Sequence, residues 1–401
     1  MKICIVIDDY LPESIKVAAK MMHDLAVEFR SRNHQVTVIT PGIGFREAHT
    51  SQIVDGVNVL KFSSGEIKNV SKIKRLINEL LLSRRAWLSL EKFFSENKHD
   101  CIIYYSPSIF WSGLIFKLKR LWGVPSYLIL RDLFPQWVID SGIIGKNSPL
   151  AFFFRYFEKL NYKAADRIGI QSPENLKWFA SNRPSFKNAH VLFNWASIRQ
   201  VKKSTGKYRK QLGIEDKIVY FYGGNIGQAQ DMMNLIRLAK RMKIHAEVHF
   251  VLVGAGDEVD LVRKAIQVEN LHNVSLLDPV SQAEYEEMLA EFDVGLFTLN
   301  PLHKTHNFPG KILGYMAQEK PILGSINKGN DLEGIVHDAN AGLISLSGDD
   351  DKFYENARSL LDRRYRMELG KKGRELLDST FSTGSAADKI LNSLNGATAL
   401  I

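Results

Sequence analysis

The segment HNFPGKILGYMAQEKPILGS, residues 306–325, places Lys311 directly after a Phe-Pro-Gly turn and at the head of an apolar run with helical spacing. The first turn of a helix carries N–H groups without intrahelical partners and the positive end of the helix dipole. A turn at Pro309 and Gly310 exposes those groups, and a lysine beside them suits a phosphate. A solvated surface lysine is the simpler reading of Lys311 alone, so the other segments must decide. Two further glycine loops share its setting, between a strand and a helix. In GGNIGQAQD, 223–231, Gly224 and Gly227 let backbone approach a ligand closely, with Asn225 and Gln228 as polar neighbours. In GAGDEVD, 254–260, Gly254 opens a similar turn.

The G-x-G of the second loop matches a dinucleotide fingerprint only in part. Its third glycine position is Val259, and the acidic ribose partner that NAD needs has one candidate, Asp278. A close-packing turn explains the loop more simply. Earlier in the chain, LILRDLFPQW sets Arg131 and Asp132 at a strand end, either as a local ion pair or as a grip on a hydroxyl or pyrophosphate oxygen. IDDYLPESIKVAAK places Asp8, Asp9, Ser14 and Lys16 between strand and helix, where capping of the turn is the plainer role for the aspartates. His303 and His306 are three apart but lack nearby Asp or Glu ligands, so no metal site is expected.

The net charge of +9 is unevenly placed: residues 1–193 carry a net of +10 and residues 194–401 a net of −1. The first half should therefore meet something anionic. Residues 68–94 hold seven basic residues among Leu, Ile, Trp and Phe at helical spacing. Lys72, Lys74, Arg75, Arg84, Arg85 and Trp87 suit a helix lying on an anionic bilayer. FWSGLIFKLKRLW and LAFFFRYFEKLNYK add aromatics beside cations, though core helices with solvated basic faces have the same composition. Long aliphatic runs and the lack of a nucleic-acid motif argue against nucleic acid as the partner. Cys4 and Cys101 are too few for a disulfide framework and point to a reducing cytoplasm. KICIVIDDY reads as a strand rather than a signal peptide, and no run of about 18 apolar residues suggests a membrane span.

With 401 residues the chain is long enough for two domains. KICIVIDDY, QVTVIT, DCIIYYS, SYLILRDL and ADRIGIQS read as strands alternating with amphipathic helices. Near residue 194 the alternation restarts with KIVYFYGGN, HAEVHFVLVGAGD, NVSLLD and VGLFTL. The expected architecture is α/β, with two doubly wound parallel-sheet domains at 1–193 and 194–380 facing a cleft. Ligands of such sheets bind at the carboxyl ends of the strands.

The opening KICIVIDDYLPES and NHQVTVIT, with ADRIGIQSPENLKWF, VLFNWA, YGGNIGQAQD, FVLVGAGDE, FDVGLFTL and FPGKILGYMAQEKPILG, resemble family 4 glycosyltransferases in order over about 380 residues. Within that family the chain looks most like the N-acetyl-L-fucosamine transferases of bacterial O-antigen and capsule clusters. The resemblance implies a GT-B fold with two Rossmann-like domains, the second holding a nucleotide-sugar and the first the acceptor. It also implies retention of anomeric configuration, no bound metal or cofactor, and a C-terminal helix, 381–401, that returns to the first domain. Carried over position by position, it gives Gly224, Asn225, Gly227, Gln228, Gly254, Pro309, Gly310, Lys311 and Ser14 to the donor, and Lys311, Arg131 and Asp132 to catalysis. The sequence departs from the family pattern in places. Asn225 and Gln230 stand where an arginine and a lysine are usual, His306 and Gly314 where two glutamates are usual, and Arg131 where a histidine is common. Gly314 falls at the place of the glutamate that holds the ribose hydroxyls.

The expected function is therefore a retaining transferase that takes a UDP-sugar and a polyprenyl-diphosphate-linked sugar, in peripheral contact with the inner face of the cytoplasmic membrane. Two alternatives are a non-catalytic GT-B subunit that binds a partner or lipid, and a UDP-sugar epimerase. The epimerase would want acidic and basic residues around the sugar, of which the loops offer few.

Overall fold

A computed structural model describes the chain except residues 15, 45–46, 67–69, 141, 199, 302–307 and 399–401. It divides into two compact units, Met1–Trp195 with Thr383–Ile401, and Ala196–Ser382.

The first unit is built on eight strands: β1 (Lys2–Val6), β2 (Gln35–Gly42), β3 (His49–Val54), β4 (Val57–Ser63), β5 (Cys101–Ser106), β6 (Ser126–Leu130), β7 (Arg167–Ile170) and β8 (Ala189–Val191). Their order is β3-β4-β2-β1-β5-β6-β7-β8. Alternate residues of one strand enter opposite layers, as the period of two requires. Ile3 and Ile5 face the helix Val17–Ser31, whereas Cys4 and Val6 join the layer of the helices Leu82–Glu96 and Ser112–Trp122. Burial on both faces is why these strands read as unbroken apolar runs.

The sheet is not wholly parallel. β3 runs antiparallel to β4 through the two-residue turn Asp55–Gly56, with φ of 49° and 75°. Positive φ at both positions is the twist-matched hairpin turn that Asp-Gly favours; neither this hairpin nor the edge strand β8 was among the expected strands. The C-terminal helix, Thr383–Thr398, sets Ala386, Ala387, Ile390 and Leu394 into the same layer as the helix Val17–Ser31. Arg32 fixes it further, donating to Asp388 at 2.5 Å and to the carbonyl of Gly384 at 3.1 Å.

The second unit has six parallel strands: β9 (Ile218–Gly223), β10 (Val248–Val253), β11 (Val274–Leu277), β12 (Val294–Thr298), β13 (Ile322–Ile326) and β14 (Gly342–Leu346). Their order, β11-β10-β9-β12-β13-β14, moves outward in one direction from β9 and in the other from β12. The reversal between β9 and β12 is a topological switch point, where the loops leaving the carboxyl ends diverge and open a crevice. The loop 223–231 leaves β9 there, and the segment ending at Lys311 follows β12.

Candidate active site

At the switch point the helix Lys311–Ala317 begins directly after Gly310. It is short, seven residues, and its position is fixed from both sides. Phe308 is buried and its ring meets Phe381 at 5.3 Å. Behind it Tyr315 is wholly buried and donates to the carbonyl of Leu296 on β12 at 2.8 Å. The amides of Ile312 and Leu313 bond the carbonyls of Pro309 and Gly310, at 3.2 and 3.3 Å. Only the amides of Gly310 and Lys311 are without a partner among the described residues.

The Lys311 side chain turns back over β9. Its Nζ sits 3.5 Å from the centre of the Tyr222 ring, where the negative face of the ring attracts a cation. Among the described residues it has no hydrogen-bond or carboxylate partner. A lysine drawn out of water without a counter-ion loses its proton more readily, and burial pushes Lys311 down to about 7. Tyr222, itself buried, donates to the carbonyl of Asn225 at 2.5 Å, so the ring that seats the lysine also shapes the loop. The result is a cation beside Gly224, poised between its charged and neutral forms.

The loops after β9 and β10 are locked edge to edge. The amide of Gly224 bonds the carbonyl of Val253 at 2.9 Å, that of Ile226 bonds Ala255 at 2.9 Å, and that of Glu258 bonds Ile226 at 3.1 Å. Gly254 must be glycine for this approach, because a Cβ there would lie 1.8 Å from the carbonyl oxygen of Gly224. Asn225 and Gln230, the two positions where the family pattern has cations, are joined to each other. The Asn225 amide donates to Gln230 Oε1 at 2.7 Å. Asn300, after β12, bonds the carbonyls of Gln228 and Ala229 and ties this loop to its neighbour across the switch point.

Gly224, Asn225, Gly227, Gln228, Gly254, Pro309, Gly310 and Lys311 thus all lie on the loops at one carboxyl edge of the second unit. Gly314 lies on the helix that Lys311 opens, and His303 and His306 fall outside the described residues. Tyr222 and Phe308, which aim and anchor Lys311, were not expected. Their signals were an aromatic inside a buried strand and another beside a Pro-Gly turn, and neither distinguishes a site residue from core.

Ser14, Arg131 and Asp132 belong to the first unit. Ser14 is buried, donates to Asp9 at 2.8 Å and accepts from the amide of Lys16, while Lys16 pairs with Asp9 at 3.2 Å. These groups knit the turn after β1 together, and burial pushes the adjacent Asp8 up to about 6. Arg131 is buried rather than presented to solvent. It donates to the carbonyls of Leu192 and Phe193 at 2.5 and 3.1 Å and lies over the Trp195 ring at 5.0 Å. Burial lowers its guanidinium to about 10. The expectation that Arg131 grips a substrate oxygen is corrected on these contacts: both of its terminal nitrogens hold the chain segment after β8. Asp132 stays exposed beside it.

The basic segment forms two helices, Lys72–Leu80 and Leu82–Glu96. Lys74 pairs with Glu66 at 3.1 Å, Arg75 with Glu79 at 2.7 Å, and Arg85 donates to Asn78 at 3.1 Å. Arg84 is exposed; the side chain of Lys72 lies outside the described residues. Trp87, expected at the membrane-facing surface, instead stacks on Phe94 at 6.0 Å with Lys117 over its ring, so it is spent on packing. The apolar residues that do face outward include Ile73, Ile77 and Leu88 here, and Leu150, Phe152 and Tyr156 on the helix Pro149–Ala164.

Comparison with known proteins defines the class. Residues 18–196 match the family model "Glycosyltransferase Family 4", and residues 216–363 match "Glycosyl transferases group 1". The fold is GT-B. The chain superimposes over its full length on a sucrose-phosphate synthase from Thermosynechococcus elongatus, with a TM-score of 0.69 at 14% identity. Over 99% of this chain and 100% of the other it matches Anabaena HepE in complex with UDP, with a TM-score of 0.68 at 16% identity.

Two glycosyltransferase models thus match successive parts of the chain, family 4 first and group 1 after it. It is 26% identical over 230 residues to "Probable glycosyltransferase WbjE" of Pseudomonas aeruginosa, covering 56% of this chain and 57% of that one. It is 24% identical over 201 residues to "Putative colanic acid biosynthesis glycosyl transferase WcaI" of Escherichia coli, covering 48% of this chain and 47% of that one. The chain thus spans about half the length of the curated relatives it matches.

Proposed function

We propose that the chain transfers a sugar, N-acetyl-L-fucosamine, from a UDP-sugar to a polyprenyl-diphosphate-linked acceptor in bacterial surface-polysaccharide synthesis, with retention at the anomeric carbon and no metal cofactor. The observation that carries this reading is Lys311, a cation without a carboxylate partner among the described residues, seated on Tyr222 at the switch point beside Gly224. Breaking the bond from sugar to diphosphate leaves negative charge on the departing UDP, and a preorganised cation in a poorly hydrated site stabilises it more than water does. The amides of Gly310 and Lys311, without partners among the described residues, could add to that charge. The likeness to a fold seen with UDP, and the surface-polysaccharide relative, support the choice of donor class and pathway.

Membrane contact belongs to the same reading. Among the described residues no helix is long and apolar enough to cross a membrane, so the contact would be peripheral. The exposed Ile73, Ile77, Leu88, Phe152 and Tyr156, with Arg84 among them in sequence, support a face that rests on anionic lipid.

The test is a panel of UDP-sugars incubated with a synthetic lipid-diphosphate acceptor. One donor should give transferred product, with the anomeric configuration read by NMR, and Lys311→Ala should remove most of the turnover while staying folded. Full activity in that variant would sink the role of Lys311. A protein that binds no nucleotide at millimolar concentration would instead support the non-catalytic reading, which the neutral Asn225–Gln230 pair favours.

A further inference from the structure

At the amino edge of the first sheet, the far end of its strands from the loops after β1 and β6, the structure holds a cavity of about 350 Å³. Its floor is the start of β1, β2 and β4, where Lys2 stands in register with Gln35 and Thr37 with Asn58. Its rim is Arg30, at the end of the helix Val17–Ser31, with Phe93 and His99 on the opposite wall. We propose that this cavity binds a small phosphorylated molecule, up to the size of a mononucleotide, at a site separate from the carboxyl-edge loops.

Three observations converge. Lys2 and Arg30 line the cavity and have no hydrogen-bonding or carboxylate partner for their side chains among the described residues. Among the described residues no carboxylate lines the cavity. Two carboxylates next to lining residues in sequence are already hydrogen-bonded: Asp100 accepts from the Lys2 amide at 2.7 Å and Asp55 bonds His23 at 2.9 Å. The hairpin turn also leaves room for Arg30. Its guanidinium occupies the position of a Cβ on Gly56, so only glycine there, at φ 75°, lets it lie across the rim.

The two histidines do not supply charge. Burial, the Met1 amine and Arg32 hold His34 below its ordinary value. Burial, with Lys2, does the same for His99, against its bond to the Asn97 carbonyl and the pull of Asp100. The attraction is therefore that of two cations, with the amides of Gln35 and Asn58 as neutral donors and Phe93 as an apolar wall. β1 has five residues at about 3.3 Å each, so roughly 16 Å of strand separates this cavity from its own carboxyl edge. One small ligand cannot reach both.

The test uses the full chain carrying Lys311→Ala, so that the carboxyl-edge site is silent, and titrates it with inorganic pyrophosphate, UMP and uridine by calorimetry. Pyrophosphate and UMP should bind and uridine should not. Adding Lys2→Gln and Arg30→Gln together should weaken binding at least about tenfold, because each lost charge-assisted bond is worth about a factor of ten. Thermal melting checks that the variants are folded, and Arg30→Lys should keep part of the affinity. No binding of either anion, or binding unmoved by the double substitution, would overturn the proposal.

Discussion

Replacing Lys311 by methionine should stabilise the ligand-free protein while removing its grip on UDP. The side chain keeps similar bulk over Tyr222 but loses its ammonium. The sign follows from the lowered value: the folded state binds fewer protons than the unfolded chain between about 7 and the ordinary 10.5, so stability contributed by this site rises with pH across that window. Below about 7 the full cost of the buried charge is present. That interval corresponds to about 5 kcal/mol as an upper bound at about 1.4 per pH unit, and partial exposure of the side chain reduces it to about 2. For a unit of this size, about 2 kcal/mol raises the melting temperature by about 5 °C. The assay is a melt at pH 7 with and without UDP. Lys311→Met should melt higher than the wild type when free, and UDP should no longer shift it. A variant that melts lower when free, or that UDP stabilises as well as the wild type, would refute the reasoning.

UDP affinity should fall as pH rises above about 7, since the complex wants Lys311 charged and the free protein has begun to lose that proton; calorimetry between pH 7 and 9 should show proton uptake on binding. Asn225→Arg with Gln230→Lys replaces the neutral 2.7 Å pair by two cations and should tighten UDP about tenfold, and unchanged or weaker binding would mean the loop does not face phosphate. Arg131→Ala leaves two carbonyls and the Trp195 ring without their partner and should cost about 2–4 kcal/mol by denaturant unfolding of the first unit. Arg183→Ala strips the buried Glu158 carboxylate of the Nη2 that donates to both its oxygens, at 2.9 and 3.1 Å, and should cost about 3–5 kcal/mol, with stability recovering as pH is lowered and the carboxyl is protonated.

The sequence by itself determined most of the elements and their order, the hairpin β3–β4 and the edge strand β8 excepted. Apolar runs such as ICIV and VHFVLV could only be strands buried on both faces, and the amphipathic runs between them could only be helices covering those faces. It also determined which loops fall at carboxyl edges, because strand, glycine loop and helix are contiguous in the chain. The Asp55–Gly56 hairpin was equally local and could have been read.

Tertiary structure alone decided what each charged group does. Arg131 and Lys311 look alike in sequence, one cation at the end of a buried element. Yet Arg131 is absorbed by the carbonyls of Leu192 and Phe193, some sixty residues away, while Lys311, among the described residues, lies over the face of Tyr222 without a carboxylate. Trp87 could have lain on a membrane by composition, and packing against Phe94 took it inward. Asn225 and Gln230 are five residues apart, and only the folded loop turns them toward each other. Pairing depends on distances between segments that periodicity does not encode, and an unpaired cation is recognised only once every possible partner has been placed.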